Sequence, residues 1–311
     1  MRHHPTRSRH GRAGDEIWVA TGVYTGVQSH QSITQHLTIS QSLTIRGGYT
    51  NLFDSPPDPQ ANPTILDAAG LGRVIVVSEN SHVTLIGLQL HNGTAGSHNG
   101  GGLYAENATL TISHTTFLHN QAEFGGGLYM LSGHLVLQNS QFSHNSARLG
   151  GGGARLYGGT AVLSHNTFLS NTAGLNGGGL SLTAGQSSLQ HNQFMNNSVT
   201  STNQGWGGGL HLSSGNATLS SNDFHNNQAH TGGGLRLFQS QATLEANLFT
   251  ENQATMGGGL SLEADSIVTF TNNVLLDNTA VTAAALQLLH TQDSLAHTTF
   301  AGNADGLLVH T

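Results

Sequence analysis

The sequence of 311 residues contains no cysteine and no lysine, and only 8% of its residues carry a charge. Without cysteine, the chain can form neither disulfide bonds nor thiolate metal sites. Four of the nine arginines lie within the first twelve residues, so the rest of the chain is more acidic than its net charge of −7 indicates. Nucleic-acid binding needs a dense basic surface, and we therefore expect no nucleic-acid partner.

Long apolar segments are also missing. No run reaches the roughly 18 residues of a membrane-spanning helix, so we expect no membrane insertion by this segment. The basic first residues are not followed by an apolar stretch, which argues against a signal peptide at this position. We interpret residues 1–14 as a disordered basic leader or an artefact of the gene model.

Glycine is abundant, with 42 residues, and much of it belongs to a repeat. A Phe-x-x-Asn motif recurs in steps of 25 to 30 residues, and a Gly-Gly-Gly-Leu motif keeps the same period. Seven copies begin at Phe117, Phe142, Phe168, Phe194, Phe224, Phe249 and Phe300, and a variant with leucine in the first position begins at Leu275. A period of this length indicates stacked repeats. We assign eight repeats of 25 to 30 residues to residues 101–311.

Each repeat contains three short segments in which apolar and polar residues alternate, such as "HLVLQ" from His134 to Gln138. Alternation with a period of two indicates β-strands with one buried face, and no helical period persists. About 25 residues for three strands fit one turn of a parallel β-helix, whereas propeller blades need roughly 40 residues. We predict an all-β, single-stranded right-handed parallel β-helix (solenoid) of about ten coils over residues 15–311, with an N-terminal cap and opening coils at 15–100.

The motif residues have predictable structural roles in such a stack. The phenylalanines should fill the interior. The asparagine three residues after each of them should form an amide ladder between turns and adopt the left-handed backbone of a sharp corner. The glycines should allow the chain to turn at the next corner, where no side chain fits.

The pairing of Phe-x-x-Asn with Gly-Gly-Gly-Leu resembles the repeat of polymorphic outer-membrane proteins, although the third glycine replaces the usual alanine. The stretches "GDEIWVATGVYTG", "LTIRGGYT" and "NPTILDAAG" resemble the opening coils of bacterial secreted right-handed β-helix proteins of the pectin-lyase-like superfamily. This resemblance implies a bacterial protein that is secreted or located on the cell surface. It is weak for activity, because this scaffold carries lyases, hydrolases and adhesins alike.

Catalysis on this scaffold needs acids at defined separations. Hydrolases use two or three carboxylates, and retaining glycosidase pairs lie about 5 Å apart. The column of outward residues after the glycine motif contains no acid, and Glu106 and Glu263 share another column but lie six coils apart. We therefore predict no catalytic residues and a rigid, adhesin-like stalk that binds glycans along its strand face. The alternative is a polysaccharide lyase or glycoside hydrolase, pectate-lyase-like or polygalacturonase-like, that acts on an acidic polysaccharide.

The outward column after the glycine motif is the candidate ligand site. Aromatic rings can stack on sugars, and arginine can pair with carboxylates. Trp206 ends an insertion in the one 30-residue repeat, and loop insertions on a solenoid often mark the binding face. The predicted ligand-binding residues are Tyr104, Tyr129, Arg155, Trp206, His211 and Arg236. An ordinary solvated strand face, with Trp206 as a lid over the coil, is the alternative interpretation.

One pair of acids lies on neighbouring coils. Glu251 and Asp277 each stand just before a corner asparagine. We name them as a candidate calcium site and predict no other cofactor. The alternative is a pair of solvated carboxylates that binds no cation.

The last residues, "GLLVHT", are apolar and resemble the beginning of another buried strand. An open β-helix end exposes unpaired strand edges, and the terminal repeats that close such an end are normally polar. We therefore expect the natural protein to continue past Thr311 and the 311-residue chain to self-associate through this end.

Overall fold

We describe the protein from a computed structural model, which covers residues 13–30, 33–304 and 306–310. All regular elements in these ranges are β-strands. The leader predicted at residues 1–14 lies outside the described residues except for residues 13 and 14, and the first strand begins at Asp15. The same ranges hold no helix that is long and apolar enough to cross a membrane.

The first fourteen strands are β1 (Asp15–Ala20), β2 (Gly22–Thr25), β3 (Gln28–His30), β4 (Ile33–Ile39), β5 (Leu43–Tyr49), β6 (Thr64–Asp67), β7 (Arg73–Val77), β8 (His82–Ile86), β9 (Leu88–His91), β10 (Leu103–Ser113), β11 (Thr116–Leu118), β12 (Gln121–Phe124), β13 (Leu128–Gln138) and β14 (Gln141–Ser143). The next twelve are β15 (Ser146–Gly150), β16 (Ala154–Tyr157), β17 (Thr160–Ser164), β18 (Thr167–Leu169), β19 (Thr172–Ala173), β20 (Leu180–Thr183), β21 (Gln186–Gln190), β22 (Gln193–Met195), β23 (Ser198–Val199), β24 (Leu210–Ser213), β25 (Asn216–Ser220) and β26 (Asp223–His225). The last twelve are β27 (Leu235–Phe238), β28 (Gln241–Glu245), β29 (Leu248–Thr250), β30 (Gln253–Met256), β31 (Leu260–Glu263), β32 (Ile267–Thr271), β33 (Val274–Leu276), β34 (Thr279–Thr282), β35 (Leu286–Leu289), β36 (Gln292–Ala296), β37 (Thr299–Ala301) and β38 (Leu307–His310).

These strands wind into a parallel β-solenoid. One face is a sheet with one strand per turn, in the order β2, β6, β9, β11, β14, β18, β22, β26, β29, β33 and β37. The described chain thus forms eleven turns, which confirms the predicted parallel β-helix and adds one turn to the predicted number. The other two faces form one 21-stranded sheet, because β10 and β13 each run through both faces without a break. One antiparallel pair, β3 with β4, lies near the start.

A short fourth segment in each repeat was not predicted from the sequence. Strands β12, β15, β19 and β23 pair in one small sheet, and β30 pairs with β34 in another. Isolated parallel bridges join Asn176 to Trp206 and Trp206 to Thr231 in the same region. This segment fixes the position of the residues that lie just before each glycine motif.

The phenylalanines fill the interior as predicted. Phe117, Phe142, Phe168, Phe194, Phe224 and Phe249 are fully buried. Successive rings stack nearly parallel, with centroids 4.3 to 4.9 Å apart. Leucines from the neighbouring strands complete a single continuous core. Since each turn buries its side chains only against adjacent turns, stability comes from the stacking of neighbours.

The asparagines form the predicted amide ladder. Nδ2 of Asn145 donates to the carbonyl oxygen of Phe117 at 2.9 Å and to Oδ1 of Asn171 at 3.0 Å. The backbone N–H of Asn145 donates to the same Oδ1 at 3.0 Å. The ladder contains Asn120, Asn145, Asn171, Asn197, Asn227, Asn252, Asn278 and Asn303. A second ladder contains Asn166, Asn192, Asn222, Asn247 and Asn273.

The ladder asparagines do not, however, adopt the predicted left-handed conformation. That conformation belongs to the residue before each of them, such as His119, His144 and Glu251, whose φ angles are 55°, 53° and 55°. A ladder side chain has to point into the coil to reach both neighbouring turns. The chain therefore turns one residue earlier, at a position whose side chain is exposed to solvent.

The glycine motif serves two different purposes. The first glycine takes a positive φ, as at Gly151 with +68°. The third has an ordinary φ but no space, because a Cβ atom on Gly153 would lie 2.5 Å from the carbonyl oxygen of Gly179. Glycine at this corner therefore allows both the turn and the close approach of the next turn.

Near the end of the described chain, interior side chains are partly uncovered. Leu295 and Phe300 are 39% and 37% exposed, whereas Leu244 and Phe249 at the equivalent positions are fully buried. The "GLLVHT" segment forms β38, which pairs in parallel with β35. Thr311 lies outside the described residues.

Candidate ligand groove

The candidate ligand column predicted from the repeat exists in the strand register. Each member pairs with the equivalent residue of the next turn, in the order Tyr104, Tyr129, Arg155, Ser181, His211, Arg236, Ser261 and Gln287. The residues on either side of each member, such as Leu180 and Leu182 beside Ser181, belong to the core. The column therefore lies on the face of the sheet that points away from the core.

Several members of this outward-facing column are nonetheless buried. Tyr129, His211 and Arg236 are only 8%, 5% and 6% exposed. The column forms the floor of a groove between two rows of residues. One wall is the bridged row that includes Phe124, Asn176, Trp206 and Thr231, and the other is the row two positions further along each strand, with Tyr157, Thr183, Ser213 and Phe238. We call this feature the ligand groove.

A cavity of about 280 Å³ opens in the middle of the ligand groove. Its lining residues are Arg155, Asn176, Thr183, Trp206, His211, Ser213, Arg236 and Phe238. Arg155 and His211, which both line it, are separated in the floor column by Ser181, which is fully buried and does not line the cavity. The structure thus brings together four of the six predicted ligand residues. Asn176, Thr183, Ser213 and Phe238 were not predicted from the sequence.

The two predicted tyrosines lie further along the groove and do not line this cavity. Their rings stack with centroids 5.7 Å apart. The Tyr104 hydroxyl donates to Oε2 of Glu106 at 2.9 Å, and the guanidinium of Arg73 lies 4.9 Å from the Tyr104 ring centroid. Burial and the hydrogen bond to Glu106 raise the pKa of Tyr104 to about 12. The Tyr104 hydroxyl and the Glu106 carboxylate are thus hydrogen-bonded to each other.

The guanidinium of Arg236 contacts two aromatic rings and one carboxylate. Its guanidinium lies between Trp206 and Phe238, at 4.9 and 4.8 Å from their ring centroids. Its Nε and Nη2 donate to the two carboxylate oxygens of Glu263 at 3.0 and 2.6 Å. Ser261 also donates to Glu263, at 2.7 Å. The pairing of Arg236 with Glu263 was missed, although a diagonal neighbour two positions along the adjacent strand is within reach of long side chains.

Arg155 has a different environment. No carboxylate within the described ranges lies within 4.0 Å of its guanidinium. The guanidinium lies over the Phe124 ring, 4.3 Å from its centroid, and 5.9 Å from that of Tyr157. Its Nη1 makes a long contact of 3.4 Å to Oδ1 of Asn176. Burial lowers the pKa of Arg155 below its ordinary value, but a guanidinium remains charged at physiological pH.

His211 is the third polar group at the cavity. Its ring lies 6.2 Å from that of Trp206, and its Nδ1 has no hydrogen-bond partner among the described residues. Burial, followed by the nearby charges of Arg236 and Arg155, lowers the pKa of His211 to about 3. The imidazole is therefore neutral at physiological pH.

Comparison with known families assigns the fold. A family model described as "Right handed beta helix region" matches residues 68–199 and again residues 176–305. The chain belongs to the right-handed β-helix family. Neither the curated proteins nor the solved structures gave a match. Membership in the right-handed β-helix family is compatible with binding and with enzymatic roles.

The candidate calcium site lies elsewhere on the β-helix. Glu251 and Asp277 occupy exposed corners of adjacent turns, each with the left-handed conformation. Nε2 of His225 lies 4.0 Å from Oε2 of Glu251. The described ranges contain no group of three or more histidine, aspartate or glutamate residues arranged to hold a metal ion. Calcium takes 6 to 8 oxygen ligands, and two exposed carboxylates supply few of them.

Proposed function

We propose that this β-helix protein is a non-catalytic, rigid rod that binds glycans in its ligand groove. The cavity between Arg155 and Arg236 is the observation that carries the proposal. Ligand pockets combine apolar and aromatic walls with a few placed polar groups, and small ones begin near 300 Å³. This cavity offers the Trp206 and Phe238 rings together with the hydroxyl groups of Thr183 and Ser213.

The rod is rigid because each turn is fastened to the next by side chains as well as by backbone. Two buried amide ladders and a continuous column of stacked phenylalanines run along it. A rigid array of this kind holds the walls of the groove at a fixed separation. Fixed walls lower the conformational entropy that the protein would lose on binding a ligand.

The carboxylates near the groove favour binding over hydrolysis. Glu263 is occupied by Arg236 and Ser261. Glu106 lies in the same column six turns away, and it accepts from Tyr104. Glycoside hydrolysis needs two carboxylates within about 5 to 9.5 Å of each other.

A location in the extracellular space or on the cell surface is part of the proposal and rests on the resemblance to secreted bacterial β-helix proteins.

The test is retention and cleavage of a panel of neutral and acidic polysaccharides. The tyrosine side chain in Thr183→Tyr should fill the cavity, because Thr183 lines it. Thr183 is only half-buried, so its replacement should not disturb buried hydrogen bonds. Thr116→Tyr is the matched control, since Thr116 is also half-buried but lies in the sheet that contains β11, away from the cavity. We expect the parent chain and the control variant to retain at least one polysaccharide, and Thr183→Tyr to lose retention.

Two outcomes would contradict the proposal. New reducing or unsaturated ends would show that the chain is a polysaccharide hydrolase or lyase. Equal retention by the two tyrosine variants would show that glycans bind outside the cavity.

A further inference from the structure

We infer that the cavity selects a single sugar residue that carries one negative charge, as a carboxylate or a sulfate ester, and that Arg155 recognises this charge. The inference rests on the proposed glycan binding and adds to it the chemical class of the ligand. It follows from the balance of charges around the cavity, from the burial of Arg155 and from the size of the space.

The cavity holds one unbalanced positive charge. Arg236 is neutralised by the bidentate pair with Glu263. His211 is neutral at physiological pH. Of the two arginines that line the cavity, Arg155 is the one without a carboxylate partner among the described residues.

The acid closest in sequence to the groove wall does not compensate this charge. Glu123 precedes Phe124, whose ring stacks on Arg155, but the Glu123 carboxylate forms an ion pair with Arg148. Tyr129 and Tyr157, which also lie near Arg155, offer phenol groups and no carboxylate.

A partly buried guanidinium without an anion is unfavourable, because it has lost hydration and gained little in return. The Asn176 oxygen is a poor substitute. It lies 3.4 Å from Nη1 and already accepts from the Ser181 hydroxyl at 3.1 Å. An anionic oxygen in the cavity would supply the missing charge-assisted hydrogen bonds, which are roughly twice as strong as neutral ones.

The rest of the cavity fits a sugar better than a bare anion. Thr183 and Ser213 offer hydroxyl groups, and Trp206 offers an aromatic surface. The Nδ1 atom of His211, buried and unpaired, adds a neutral polar group beside them. A volume of about 280 Å³ is at the small end for ligand pockets and suits one ring rather than a long chain segment. The ligand is therefore a terminal or side-branch residue.

The experiment is titration calorimetry with D-glucuronate, D-glucose 6-sulfate, D-glucose and acetate. We expect D-glucuronate or the sulfate ester to bind about 10- to 100-fold more tightly than D-glucose, because one charge-assisted contact changes affinity by this factor. Either anionic sugar should also bind more tightly than acetate, which carries the charge but lacks the sugar ring. Arg155→Gln should remove this preference. Arg46→Gln, which removes the same charge from an exposed ion pair in an early turn, should leave it unchanged.

Three results would overturn the inference. They are equal affinity for D-glucose and both anionic sugars, equal affinity for acetate and the anionic sugars, and an unchanged preference in Arg155→Gln. The melting temperature of Arg155→Gln shows whether this variant is folded. Arg155→Lys is a second control, since lysine keeps the positive charge and should retain part of the preference for anionic sugars. Retention of neutral polysaccharides without any charge preference would leave the proposed glycan binding intact and refute the charge selection alone.

Discussion

The buried imidazole of His211 should make the stability of the protein depend on pH. In the folded protein its pKa is lowered from 6.5 to about 3, first by burial and then by the charges of Arg236 and Arg155. In the unfolded chain the same histidine should titrate near its ordinary value of about 6.5. The unfolded state therefore binds a proton at pH values where the folded state does not. The stabilisation is complete above pH 6.5 and is lost as the pH falls towards 3.

The size of the effect follows from this difference. At about pH 4.5 the folded imidazole is still neutral, while the unfolded one has been protonated across about two pH units. Each unit corresponds to about 1.36 kcal/mol, so His211 should lower the free energy of unfolding by about 3 kcal/mol between about pH 7.5 and pH 4.5. This is a large fraction of the stability of an average domain.

Urea unfolding of the parent chain and of His211→Gln at the two pH values measures this contribution. The remaining histidines and carboxylates titrate in both proteins, so the difference between the two pH dependences isolates His211. We expect the parent chain to lose about 3 kcal/mol more than the variant. An equal loss in both proteins would refute the reasoning. So would an NMR titration in which the imidazole signal that disappears in His211→Gln shifts with a midpoint near 6.5.

Three further predictions concern the scaffold. Asn171→Ala should lower the free energy of unfolding, measured by urea denaturation, by about 3 kcal/mol or more, because two donors of Asn145 lose their acceptor. The control variant Asn216→Ala, at an exposed position, should change this free energy by less than about 0.5 kcal/mol. Gly153→Ala should cost about 3 kcal/mol in the same assay, since its Cβ would lie 2.5 Å from a backbone oxygen of the next turn, and a normal melting temperature would contradict the close approach. Light scattering of the 311-residue chain should show an average mass that rises with protein concentration, because Phe300 is 37% exposed. The variant Phe300→Asp should show less self-association. A constant monomer mass for the parent chain would refute this prediction.

The fold could be read from the sequence because the repeat imposes the same packing requirement on every turn. A residue such as Phe168 must stack on its equivalents above and below, and Asn171 must hydrogen-bond to its own neighbours. One sequence motif therefore reports one structural position eight times. The left-handed corner residues escaped prediction because their identity varies. Solvent-facing positions such as His144 and Glu251 are constrained in backbone conformation but not in side chain.

The groove could be read only in part. Strand register placed Arg155, His211 and Arg236 in one column, and the structure confirms that placement. Their burial could not be foreseen, because it depends on the row of residues before each glycine motif. That row is held by isolated bridges and short strands, which have no alternating pattern to reveal them.

The features that make the groove a candidate site are departures from the repeat. Most turns of a solenoid need only stack, so a position that breaks the pattern without harming the stack is free to serve another purpose. Ser181 is small and fully buried, whereas its neighbours in the column, Arg155 and His211, are large and line the cavity. Glu263 neutralises Arg236, and no acid stands at the corresponding place beside Arg155, where Thr183 occupies the diagonal position. The substitution Thr183→Glu would place a carboxylate at this position, where it should neutralise Arg155. We therefore expect the variant to have a higher melting temperature and to lose the binding of anionic sugars. Unchanged binding of anionic sugars in Thr183→Glu would show that the ligand does not recognise the charge of Arg155.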